Sequence, residues 1–188
     1  MKTKKSDTDI SRFVILIPHR DACNYLAKYR EKLFSSGFFG AHSFPPAAPL
    51  ARVSRPLSRE ELRELAGAIR SFTGENGGKI RSGADTGIRE AGSLSFFGPI
   101  LNLSAGEEIF PPAAREKILT SFLPPLLCAA LLRPGDSAEI TCEEAPLLSF
   151  RAASLANLAF RRLTAGDTNY SFEWKMSPPV WLPAYKRA

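Results

Sequence analysis

The sequence predicts an α+β domain of two related lobes, with antiparallel strands facing each other across a central groove and helices outside. Three observations carry that expectation. Phe13 to Ile17, FVILI, is a continuous apolar run of strand length, as in a central strand buried on both faces. The chain up to Phe72 reads strand, helix, strand, helix. A second strand-and-helix series follows it, with no residue-level repeat between the halves.

The bulk properties set the limits. A chain of 188 residues can bury a core as one domain or as two small intimate lobes. Its hydrophobic share of 44% and charged share of 23% are those of an ordinary globular protein. The net charge of +6 tilts the choice of partner toward phosphates, nucleic acid or an acidic surface. Three widely spaced cysteines, Cys23, Cys128 and Cys142, form no CxxC and no Cys/His cluster. Neither a zinc site nor a disulfide framework is expected, and a reducing cytoplasm fits best. The start, MKTKKSDTD, lacks the apolar core of a signal peptide. The apolar run from Phe122 to Leu132 is about half a membrane span and is broken by Pro124 and Pro125. The expectation is a soluble cytoplasmic protein with no metal, no cofactor and no membrane contact.

Taken in order, residues 1–10 read as a flexible basic tail, 11–176 as the two-lobed domain, and 177–188 as a Pro-rich extension lying over the surface. Pro18 ends the first strand. From Ala22 to Phe34, Ala22, Tyr25, Leu26, Tyr29 and Leu33 fall at helical spacing with lysines and arginines between them. Asp21 suits the N-cap of that helix and Gly37 its stop. Leu50 to Ser54 is a short extended run. It leads into the most sharply marked helix of the chain, about Arg59 to Phe72, with Leu62, Leu65, Ala66, Ile69 and Phe72 as its buried stripe. Ser58 and Glu61 have the spacing of a capping box, and Leu57 and Leu62 that of a hydrophobic staple. Lys79 to Leu103 reads as two strands around a Gly-rich connection. A helix is expected after Pro112, carrying Ile118, Leu119 and Phe122, breaking at Pro124-Pro125 and resuming to Leu132. Ala138 to Cys142 and Leu147 to Leu163 read as strands, the second long enough to bend or hold a bulge. Gly166-Asp167 turns into a last strand from Tyr170 to Lys175.

Few residues offer chemistry. His19 closes the first strand, followed by Arg20, and reads as a phosphate or acid/base group or simply as a loop histidine. His42, beside Ser43, is the second acid/base candidate, although sequence neighbours do not make a triad. The segment GENGGKIRSG is not a phosphate loop, since Thr73 and Ile80 stand where a glycine and a hydroxyl are required. The adjacent pairs Glu107-Glu108 and Glu143-Glu144 cannot face one site on regular structure. Arginines at strand ends carry more weight. Arg52 alternates with Leu50 and is expected on the same strand face, while Arg151, Arg161 and Arg162 bracket the long later strand. Lining one groove, such guanidiniums would form a fork for phosphate oxygens.

The order of FVILIP and its helix, APLARVSRPLSREEL, and later SFRAASLANLAFRRLTAGDTNYSFEW resembles the 2H phosphoesterase superfamily, which includes 2′-5′ RNA ligase-like proteins and cyclic phosphodiesterases. The resemblance spans about Phe13 to Trp174 and implies the two-lobed fold. It also implies a His-x-Thr/Ser signature from a strand of each lobe, acting on a 2′,3′-cyclic phosphate or a 2′-5′ linkage. The first signature falls on Ala48 and Leu50. The second falls within Ala152 to Ala156, where Ser154 alone has suitable chemistry. Methyl and isobutyl groups cannot transfer protons, so both signatures are degenerate. What the resemblance implies is a catalytically degenerate protein binding RNA ends, nucleotides or another phosphate ligand, with Arg52, Arg151, Ser154 and Arg162 as its contacts. Two alternatives stand beside it. One is a divergent phosphodiesterase or ligase-like enzyme using His42 or His19, and the other is a non-catalytic scaffold or interaction domain.

Overall fold

A computed structural model describes residues 8–38, 41, 44–75, 79–90, 95–102, 110, 112–113, 119–122, 126–132, 138, 148–162 and 170–181. The first strand, β1 (Thr8–Pro18), begins inside the stretch expected as a tail, because Thr8 to Ile10 already pair with Arg161 to Ala159. Helix α1 (Arg20–Ser35) follows, then β2 (Ala48–Val53) and α2 (Arg59–Glu75). After them come β3 (Lys79–Glu90), β4 (Ser95–Asn102), β5 (Leu119–Phe122), β6 (Ala130–Leu132), β7 (Leu148–Arg162), β8 (Tyr170–Met176) and β9 (Val180–Trp181). The architecture is α+β with every strand pairing antiparallel. Strand order is β5-β2-β1-β7-β3-β4-β6, with β8 and β9 also pairing β7.

β1 is a central strand, as its unbroken apolar run requires. Val14 and Leu16 join one buried cluster, with Leu26 and Leu33 of α1 and Leu65 and Ile69 of α2. Phe13 and Ile15 join a second cluster with Phe44, Phe96 and Cys128. The period-two alternation of a strand therefore divides the two clusters between its faces.

Both helices obey their local signals, with one shift. The N-cap of α1 is His19 rather than Asp21. Asp21 sits in the first turn, where its carboxylate accepts the N–H of Ala22 at 2.8 Å and that of Ser149 at 3.1 Å. A side chain that ties the helix start to β7 is better used there than one residue earlier. At the other end Gly37 takes φ +90°, and Phe38 N–H donates to Leu33 O while Gly37 N–H donates to Phe34 O. That is a Schellman closure, and it needs the left-handed residue that glycine supplies.

The capping box of α2 is present in both directions. Glu61 N–H donates to Ser58 Oγ at 3.2 Å, and Ser58 N–H donates to Glu61 Oε2 at 2.8 Å. Arg55 adds two hydrogen bonds to the same carboxylate, at 2.9 and 2.5 Å. The Arg55 hydrogen bond first, and the Ser58 backbone N–H second, pull Glu61 down to about 2 from 4.5. The folded value lies below the unfolded one, so this support is complete above pH 4.5 and is lost as pH falls toward 2. Urea midpoints followed by circular dichroism across that window are expected to fall less steeply for Glu61→Gln than for the wild type. Parallel slopes would remove Glu61 from the acid response.

The region after Pro112 departs from expectation. Pro112 and Ala113 are helical, but Leu119 to Phe122 form β5 and pair with β2, and Ala130 to Leu132 form β6 and pair with β4. Helical spacing of Leu119 and Phe122 is overridden by the hydrogen bonds that a neighbouring strand edge offers. Between them Leu126 to Ala130 runs beside β4, with Leu127 N–H donating to Pro99 O at 2.9 Å and Ala129 N–H to Phe97 O at 2.7 Å. The strand expected at Ala138 to Cys142 and the turn at Gly166-Asp167 lie outside the described residues, apart from Ala138. Of the bend or bulge expected in β7, a bulge is present: Ala152 pairs with Ile17 and Phe150 with Pro18, leaving Arg151 as the extra residue. Chain beyond Met176 does not simply lie over the surface, because Val180 and Trp181 pair with Ala153 and Ala152 of β7.

Candidate functional site

The signature positions on β2 are inside the core. Ala48 and Leu50 are fully buried, in the cluster that holds the apolar residues of both helices. Arg52 does not share the face of Leu50. A register shift between Val14 and Ile15 makes Val14 pair with Ala51 and Ile15 with Pro49, so Leu50 is a bulge residue. The bulge breaks the alternation, and Arg52 reaches Ser11 Oγ, 3.3 Å away, on the Phe13 side of β1.

Ser154 is fully buried, and its Oγ donates to Ser177 O at 2.7 Å. Ser177 N–H in turn donates to Leu155 O at 2.9 Å. The hydroxyl expected to hold a phosphate instead holds the chain that follows β8. Arg151, exposed at the β7 bulge, lies near the first turns of α1. There its charge and that of Arg30 oppose a rise that burial imposes on the Cys23 thiol. His19 is exposed, with Nδ1 3.8 Å from Asp21 Oδ1, and its N–H donates to Ser149 O at 2.8 Å. Arg162 ends β7 opposite Tyr170, and its side chain is outside the described ones. His42 lies outside the described residues altogether. Of the four expected contacts, Ser154 is enclosed, Arg52 is beside Ser11 and Arg151 lies near α1.

One cation that the helical pattern left among the solvated residues is buried. Arg30, 8% exposed, donates through one nitrogen to Phe44 O at 2.8 Å and Cys128 O at 2.9 Å. Burial pushes its guanidinium below the usual value, and its Nε is buried with no hydrogen-bond partner. The neighbouring Cys128 thiol is pushed up to about 12, burial outweighing the opposing charge of Arg30. A thiol so held stays protonated at neutral pH and is no nucleophile.

A pocket of about 530 Å³ opens where α2 begins. One wall is Leu57, Ser58, Arg59, Leu62 and Arg63, fixed by the capping box. The opposite wall is Leu155, Ser177, Pro178 and Pro179, fixed by Ser154 and by the pairing of β9. Arg59 and Arg63 are exposed and have no hydrogen-bond or ion-pair partner among the described residues, whereas Arg55 is committed to Glu61. Chemically this is an apolar recess with two guanidiniums at its rim, suited to an anionic group attached to an apolar body. The sequence marked Leu57, Ser58 and Leu62 for their role at the helix start. The signal that would have pointed to a recess was the Ser-Pro-Pro interruption just after a strand, but nothing local says which element it meets.

No described group of His, Cys, Asp or Glu is arranged to hold a metal ion, and no described helix is long and apolar enough to cross a membrane. No protein-family model, no curated protein and no solved structure matches the chain.

Proposed function

We propose that the chain is a non-catalytic phosphate-ligand-binding protein with the two-lobed plan of a degenerate 2H phosphoesterase, taking a nucleotide or an RNA end. The observation that carries the binding part is the pocket rimmed by Arg59 and Arg63, whose guanidiniums have no described partner. The net charge of +6 favours the same class of ligand. The non-catalytic part rests on Ala48 and Leu50, which are apolar and sealed in the core where proton transfer would be required. Calorimetric titration of the full chain with phosphate and with a nucleotide at low salt tests the reading. The wild type is expected to bind, and an Arg59→Ala, Arg63→Ala double variant to bind at least about tenfold more weakly, a loss of about 1.4 kcal/mol. Unchanged affinity in the double variant would sink this site. A 2′,3′-cyclic nucleotide is expected to remain intact on incubation, and its opening would overturn the non-catalytic part.

A scaffold reading has its own support in the packing of Ala48, Leu50 and Val53 against the helices, which uses the β2 face for stability alone. Absence of binding to any phosphate at low salt would favour it.

A further inference from the structure

Resting on the phosphate-binding reading, we infer that the pocket selects a small phosphomonoester with a single base, a nucleoside monophosphate, and discriminates against polymeric nucleic acid. Size is the first ground. About 530 Å³ lies within the range of single small-molecule sites. Surface chemistry is the second. Leu62, Leu155, Pro178 and Pro179 present apolar surface beside the two arginines, and a bare phosphate would leave that surface in water. A flat base joined to the phosphate through a sugar covers it.

Charge decides against the polymer. Polynucleotide affinity comes from many phosphates neutralised at once. Around this mouth the described cations are few: Arg55 is spent on Glu61, and exposed Glu60 and Glu64 stand on the same helix as Arg59 and Arg63. One dianionic phosphate can be met by two guanidiniums, but successive phosphates would run past carboxylates. Both walls are held before the ligand arrives, one by the capping box and the other by the Ser154–Ser177 hydrogen bond. A pre-shaped recess loses little freedom on binding a rigid ring and gains little from a flexible chain.

The test titrates the full chain with three probes: AMP, inorganic phosphate and a 5′-phosphorylated RNA of about ten nucleotides, each between about 50 and 200 mM salt. AMP is expected to bind about tenfold or more tighter than phosphate, and the RNA no tighter than AMP. The salt dependence of AMP and RNA is expected to be alike, with a shallow log–log slope of about −1 to −2, the signature of one or two neutralised charges. RNA binding about tenfold tighter than AMP with a slope steeper than about −3 would overturn the selectivity while leaving phosphate binding intact. Phosphate binding as tightly as AMP would remove the role of the apolar wall. Silence from all three probes would instead remove the phosphate-binding reading itself.

Discussion

Gly98→Ala is expected to remove a large part of the stability of the fold. Gly98 sits in β4 where the segment from Leu126 to Ala130 passes alongside. A Cβ there would overlap the carbonyl oxygen of Leu127 and lie 2.9 Å from Ala129 N and 3.0 Å from the Leu127 carbonyl carbon. All three are backbone atoms, which cannot rotate aside. The segment would have to move, breaking the hydrogen bonds from Leu127 to Pro99 and from Ala129 to Phe97, each worth about 1 kcal/mol. Leu126, Leu127 and Cys128, fully buried, would lose packing with it. Overpacking of this kind costs about 1–3 kcal/mol more. The total, about 3–5 kcal/mol, is a large part of the stability of an ordinary domain. Gly87→Ala is the control, since its Cβ would meet the movable side chain of Ile100 at 3.2 Å. In urea unfolding followed by circular dichroism, Gly98→Ala should fall far below both wild type and Gly87→Ala. Equal midpoints would mean that Leu127 does not lie against β4.

Truncating Arg30 is the second large effect. Its guanidinium links three parts of the chain: α1, the approach to β2 at Phe44, and the segment before β6 at Cys128. No described carboxylate balances it, so two neutral carbonyls carry the charge. Arg30→Ala would orphan both carbonyls, at about 1–3 kcal/mol for each buried acceptor, and leave a void where the stem lay. The expected loss is about 3 kcal/mol or more. Arg30→Lys should fall between, because an ammonium keeps the charge and stem but lacks the planar fork. Midpoint and slope of urea unfolding measure this. A near-wild-type midpoint for Arg30→Ala would show that Phe44 and Cys128 are held by other means.

The legible features of this fold are those whose cause is local. FVILI has the length and unbroken apolarity of a doubly buried strand, Gly37 supplies a left-handed closure, and Ser58 with Glu61 forms a capping box. The features missed have distant causes. Leu119 to Phe122 becomes a strand because β2 offers an edge some seventy residues earlier (Ala51 pairs with Phe122). The bulge at Leu50 is invisible to a period of two, and it sends Arg52 to the opposite face. Arg30 looked like one more polar residue of a helix, and only the close approach of Phe44 and Cys128 makes it a core residue. Ser154 lies on the long strand as its position implies, but its hydrogen bond to the backbone carbonyl of Ser177, in the link after β8, has no signal in the local sequence. The pocket was half legible: its helical wall is written in the capping box, while its proline wall reaches it only through pairing with β7.

β7 has a consequence for how the protein is made. It is the shared neighbour of β1, β3, β8 and β9, yet it is encoded late in the chain. Phe13 must wait for Ala156 before that side of the central strand is covered. During synthesis β1 would emerge as a very apolar strand with one unpaired edge, while the ribosome still has most of the chain to add. Long-range pairing of this kind slows folding, because a large loop must close before its contacts are rewarded. Truncations ending before Leu148 should therefore be prone to aggregate rather than fold into a smaller domain, and full-length chains should gain protease resistance only once β7 has been released.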